Sequence, residues 1–322
     1  MLNPLFVQLK RIKNMAHTKK HILTSSIFFL SLALLWLPRG YPGGNWAQKL
    51  NIHKKKPNFS LACIAPTQPC DKYWLSPPLI GCEDVFSQKF TYLDAGVQSY
   101  AFLSADKKYV LKFLKQRRSE KFPKKRFLTF SSYKIAYEYL RDQTGLLFMH
   151  LVPGDGFKQT LTLVDHEQKE HTIELGDFEF FLQKRADLIM PILTNKMKNS
   201  EEKEAKEIID ALFSFFHTRL DKGILDHDPN IPINFALCEG KIIQIDIGRF
   251  SWAEKATMYK TDWLQFVKKN ALFMRWLKKS YPELHVYFMQ HCAILKERYK
   301  KISKPLPQLV SSPHHENESS NS

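Results

Sequence analysis

Gly223-Ile224-Leu225-Asp226-His227-Asp228, followed by Asn234 and then by Gln244-Ile245-Asp246-Ile247-Gly248, is the stretch on which the reading of the fold turns. It places acid and amide oxygens where phosphoryl transfer uses them: one carboxylate to position an attacking hydroxyl, and a second carboxylate with an amide oxygen to hold Mg2+ against phosphates. Asp228, Asp246 and Asn234 are the candidates. Asn234-Phe235-Ala236-Leu237, a Glu239-Gly240 turn and Lys241 to Ile245 predict a tight hairpin with Asn234 at one end and Asp246 at the other. An acid beside glycine at a strand end is also an ordinary turn, and Asp226 competes with Asp228 for the role of base.

Upstream, Phe90 to Leu93, Tyr100 to Leu103 and Tyr109 to Leu114 are short β-type runs separated by Asp94-Ala95-Gly96 and Ala105 to Lys108, which predicts an antiparallel meander. Ile135, Ala136, Tyr139 and Leu140 recur at helical spacing between Ser131 and Gln143, closed by Thr144-Gly145. Leu161 to Val164, Thr172 to Leu175 and Phe178 to Leu182 add strand-like runs around a polar turn. The second half is helical in character. It begins with Asn199 and Glu202 as a capping-box-like pair, continues with Ile208, Leu212, Phe215, Phe216 and Leu220 on one face, and stops at Gly223. Two further helices are predicted over Thr261 to Leu277 and Pro282 to Tyr299.

These residues, taken in order, resemble the protein-kinase-like fold over roughly Phe90 to Lys279, in its atypical, small-molecule or lipopolysaccharide-kinase form. Tyr109-Val110-Leu111-Lys112-Phe113 is similar to the strand that carries the family's phosphate-binding lysine. The resemblance implies that Glu138 on the following helix orients Lys112 through an ion pair, that the Gly96 turn covers the nucleotide, and that Asn234 and Asp246 hold Mg2+. Phe216-His217 and Gly223 to Asp228 look like the family's catalytic loop, with Asp228 on the base, and Asp246-Ile247-Gly248 looks like its metal-binding Asp-Phe-Gly. Asp262 resembles the acid that braces that loop, although an N-cap role would suit it equally. The implied cofactors are ATP and Mg2+.

The chain departs from the family in four places. Asn234 follows Asp228 by six residues instead of five, across Pro229-Asn230-Ile231-Pro232-Ile233, and Asn230 or Asp226 are alternatives for either role. The covering loop has one glycine, Asp226-His227 replaces His-Arg, and no Ala-Pro-Glu follows Asp246. The short second half favours a small-molecule, lipid or sugar acceptor over a peptide. The same departures suit a catalytically inactive, membrane-tethered interaction module.

The N-terminal region bears on location. Ile22 to Leu37 is an apolar run behind Lys19 and Lys20, read as a signal peptide or retained anchor, and a start at Met15 would give a compact charged n-region. The expected organisation is therefore 1–38 n-region and signal segment, 39–85 linker, 86–187 strand-rich lobe of five or six antiparallel strands with one helix, 188–302 short helical lobe, and 303–322 polar tail. The fold class is α+β. Membrane attachment through residues 22–37 or export is expected, with sidedness open, since Arg39, Lys49 and Lys54 to Lys56 offset the upstream charge.

A net charge of +16 biases encounter towards anions such as nucleotides, acidic lipid or lipopolysaccharide. Lys115 to Arg118 and Lys124 to Arg126 form a basic segment, read as a solvated loop or a lipid contact. Nucleic acid is less favoured, because aromatic interleaving there is limited to Phe122 and Phe127. Cys63, Cys70 and Cys82 precede the strand-rich region without zinc spacing, as reduced thiols or one disulfide.

Overall fold

The computed structural model describes residues 59–66, 76–77, 81, 83–96, 98–116, 123–152, 157–253 and 259–303, with side chains described from 126 in the first long helix and from 261 in the last third. The chain divides into a unit of Met1–Lys54 and a unit of Lys55–Ser322, and every described residue belongs to the second. The apolar run 22–37, the Met15 start, Cys70, Cys82, Arg117, Arg118 and the tail from 304 lie outside the described residues. Among the described residues no helix is long and apolar enough to cross a membrane.

Short aromatic-rich runs separated by turns make the first strands. β1 (Phe90–Ala95), β2 (Ser99–Ser104) and β3 (Tyr109–Leu114) form the predicted antiparallel meander. β2 buries Tyr100, Phe102 and Ser104 while its intervening residues are half-buried, the period of two that a pleated sheet imposes. α1 (Pro123–Tyr139) and the short α2 (Arg141–Thr144) follow, ended by Gly145 at φ 60°. β4 (Leu146–His150), β5 (Thr160–Val164), β6 (Glu170–Glu174) and β7 (Phe180–Lys184) complete a seven-stranded sheet in the order β4-β7-β3-β2-β1-β5-β6.

Three expectations change here. The sheet has seven strands instead of five or six, because Leu146–His150 is a strand without the polar alternation that marks one in sequence. It is mixed, since β1 and β5 pair in parallel through Phe90↔Leu163 and Thr91↔Val164. The helix begins at Pro123, so Lys124 to Arg126 belong to its first turn and not to a loop. One sheet face packs on an aromatic cluster that includes Phe59, Phe86, Phe102, Phe113, Phe148 and Phe180, each buried ring worth about 1.5–3 kcal/mol. The opposite face packs under α1, where Phe130, Tyr133, Ala136 and Phe181 meet Ile224, Ile247 and Phe250 from the helical part of the chain.

β8 (Asp187–Leu188) leads into α3 (Ile189–Lys198) and α4 (Glu202–Asp221). Asn199 is the C-cap of α3 and not the N-cap of α4, whose N-cap is Glu201. Gly223, at φ 70°, turns the chain out of α4 into β9 (Ile224–Asp226). Then come α5 (Ile231–Asn234), β10 (Phe235–Cys238), β11 (Lys241–Gln244), β12 (Phe250–Trp252), a π-helical turn at Tyr259–Trp263, α6 (Leu264–Ser280) and α7 (Pro282–Ile302). The molecule is a mixed α+β protein with its sheet first and its helices last. Cys63, Cys238 and Cys292 are free thiols.

Candidate functional site

The β10–β11 hairpin sets the site. Glu239 and Gly240 sit at φ 50° and 77°, the pair of positive values that a two-residue turn matching strand twist requires. The register runs Phe235↔Gln244 to Cys238↔Lys241, and Ile245 N–H donates to Asn234 O at 2.7 Å. Asn234 and Asp246 therefore flank the open end of one hairpin, as predicted.

The six-residue step is absorbed locally. Pro232 lies in the first turn of the four-residue α5, where a missing N–H costs nothing, and Asn234 N–H donates to Asn230 O at 2.9 Å. The Asn234 side chain turns back so that Nδ2 donates to Asp228 O at 2.7 Å. That bond fixes the amide and leaves Oδ1 without a hydrogen bond among the described residues. Asp246 is exposed, and its carboxylate has only a long 3.5 Å contact from Gly248 N–H. An exposed carboxylate and a fixed amide oxygen are hard oxygen donors, which fits Mg2+ held by one or two protein oxygens plus phosphates. Among the described residues no group of three or more His, Cys, Asp or Glu forms a protein-only metal cage.

Asp226 and Asp228 separate in role. Asp226 is buried; its Oδ1 accepts from Asp228 N–H at 2.8 Å and its Oδ2 from Gln244 Nε2 at 2.8 Å. Burial pushes its carboxyl up to about 7, opposed by the nearby Arg219. Asp228 is half-buried and its carboxylate faces Lys269 of α6, Nζ to Oδ1 2.7 Å. Of the two acids, Asp228 has the accessible carboxylate.

The end of the chain clasps this loop. Asp262 is buried, accepts from Asp226 N–H at 3.2 Å, forms a two-pronged pair with Arg219, and receives the Tyr299 hydroxyl. It braces the loop and does not cap α6, whose N-cap is Trp263. Asn270, wholly buried, accepts from Ile231 N–H and donates to Pro229 O and Phe266 O. Lys269 and Asn270 were missed in the sequence because no local pattern ties α6 to a loop some forty residues earlier.

On the sheet, Lys112 Nζ donates to Ile245 O at 2.6 Å and to Gln183 Oε1 at 2.7 Å. It therefore sits beside Asp246 at the hairpin end. Burial pulls its ammonium down to about 8, partly offset by Asp246. The expected Glu138 pair is absent: Glu138 is exposed and bonds Lys134 one turn back at 3.6 Å. The helix presents Ser132 and Tyr133 inward instead. Ser132 Oγ donates to Ile247 O and accepts from Phe250 N–H, and Tyr133 stacks on Phe181.

Gly96 is an exposed turn residue, its N–H donating to Ser99 O at 2.9 Å and its carbonyl accepting from Lys115 Nζ at 2.6 Å. From the same loop Gln98 reaches Gly248, where a Cβ would lie 2.6 Å from its Oε1. Arg126, at the start of α1, pairs with the buried Glu179, whose carboxyl burial raises to about 7 against the pull of Arg126. That arginine of the basic segment is engaged in the fold and is not a solvated loop residue.

No known family matches the chain, and no curated protein does. Among solved structures, three of the bifunctional kinase-methyltransferase WbdD are similar at 16%, 16% and 15% identity, with TM-scores of 0.32, 0.31 and 0.32. They align over 63%, 64% and 62% of this chain and 43%, 44% and 45% of theirs, so the chain spans less than half the length of those proteins. A likeness this slight assigns no activity, and the case for one rests on the residues above.

Proposed function

We propose that this chain is an ATP- and Mg2+-dependent phosphotransferase with a protein-kinase-like arrangement of a strand-rich and a helical lobe. The observation that carries the reading is the Asn234 side chain bonded back to Asp228 O, beside the exposed Asp246 and the Lys112 ammonium on Ile245 O. Lys112 would meet the nucleotide phosphates, Asp246 and Asn234 would hold the metal, and Asp228 would accept a hydrogen bond from the acceptor hydroxyl and orient it. The metal, when bound with nucleotide, supplies charge neutralisation on the phosphates. The acceptor is best read as a small molecule, sugar or lipid, since among the described residues α6 and α7 are the only α-helices after the site and no Ala-Pro-Glu segment is present. The run from Ile22 to Leu37 supports a place at a membrane, and the +16 charge supports anionic partners.

The test is transfer of labelled phosphate from ATP with Mg2+ to sugar and lipid extracts. Asp228→Ala and Asp246→Ala are expected to abolish transfer while leaving the fold intact; a wild-type protein that neither transfers nor turns over ATP would defeat the proposal. A second reading, a nucleotide-binding module without chemistry, is favoured by the missing Lys112–Glu138 pair. It predicts Mg2+-dependent thermal stabilisation by ATP with no turnover.

A further inference from the structure

We propose that Gln183, and not an acid on α1, is the residue that positions Lys112, so that the cationic arm of the site is assembled within the sheet. This rests on the reading of Lys112 as the nucleotide's cation. β3 and β7 pair with Val110↔Gln183 and Lys112↔Phe181, which makes Lys112 and Gln183 diagonal neighbours on one sheet face. Gln183 is 2% exposed, and its Nε2 donates to Thr144 O at 2.5 Å and Gln244 O at 3.2 Å. With the NH2 end committed to two carbonyls, only Oε1 can face the ammonium. The amide is locked, and the lysine is aimed by it.

The helix cannot substitute. Glu138 is the sole acid between Pro123 and Tyr139, and it stands five and six residues beyond Tyr133 and Ser132, the residues that face the site. At about 100° per residue it lies roughly 140° and 240° around the helix from them. Turning it inward would pull Ser132 off Ile247 O and Phe250 N–H and unstack Tyr133 from Phe181. The hydrogen bonds of Lys112 thus run to β7 and to the hairpin end and not to α1.

The experiment is calorimetric binding of a non-hydrolysable ATP analogue with Mg2+ to the full chain at neutral pH. Wild type is expected to bind, Lys112→Met and Gln183→Met each to bind about tenfold more weakly, the double variant to bind no more weakly than Lys112→Met alone, and Glu138→Gln to keep the wild-type affinity. If Gln183→Met lowers thermal stability but keeps the wild-type affinity, or weakens Lys112→Met by a further factor of about ten, Gln183 is structural only and the inference fails. A tenfold loss on Glu138→Gln would overturn it equally. If Lys112→Met binds like wild type, or wild type does not bind, the phosphotransferase reading itself is refuted, an outcome distinct from the other two.

Discussion

Replacing Asp226 by asparagine should change the pH dependence of stability in a calculable way. The buried carboxyl has its folded pKa raised from 3.8 to about 7, with desolvation as the main cause. The native state then holds a proton that the unfolded chain gives up, so the favourable contribution is complete below 3.8 and is lost as pH rises towards 7. At about 1.4 kcal/mol per unit, the full cost of carrying the ionised acid is about 4 kcal/mol. A little under half is already present at about pH 5, leaving roughly 2.5 kcal/mol to develop between pH 5 and pH 9. Asp226→Asn removes the titration but also one acceptor, since Asp228 N–H and Gln244 Nε2 now each meet a carboxylate oxygen. That loss costs about 1–3 kcal/mol at every pH. Urea unfolding followed by tryptophan fluorescence should therefore show the variant weaker than wild type in acid and gaining on it steadily as pH rises. Parallel stability curves for the two proteins across this range would refute the placement of a proton on Asp226.

Two further outcomes test the clasp on the Asp226–Asn234 loop. Asn270→Ala strands the buried Ile231 N–H and Pro229 O, and should cost about 2–5 kcal/mol in urea unfolding. Lys269→Met leaves a half-exposed pair broken, so stability should fall by no more than about 1 kcal/mol while phosphate transfer falls by about a hundredfold. Unchanged transfer would show that the ammonium facing Asp228 has no part in the chemistry.

What could be read from the sequence was what local chemistry dictates. The Glu239-Gly240 turn needs positive φ, Gly223 ends a helix, and polar turns separate the β-type runs of the meander, so the hairpin and the order of elements followed. The facing of Glu138 did not follow. α1 carries apolar residues on several sides, with Phe127, Leu128 and Tyr139 exposed, and periodicity cannot tell which side meets the sheet. Lys112 was found through its strand, but its partner Gln183 lies 71 residues away and Lys269 is brought to Asp228 from a later helix. Such pairs are made by tertiary packing and leave no spacing to recognise. Leu146–His150 escaped because a strand under a helix is apolar without alternation.

The β5–β6 hairpin has a consequence for solubility. Without it β1 would be a sheet margin with unpaired backbone groups, an invitation to strand addition by a neighbouring molecule. With it the margin is β6, Glu170-His171-Thr172-Ile173-Glu174, whose two glutamates are exposed at either end. A second chain docking there would have to bring its own backbone against charge. The hairpin thus acts as a guard against amyloid-like stacking for a protein whose sheet covers a wholly apolar, half-aromatic interior.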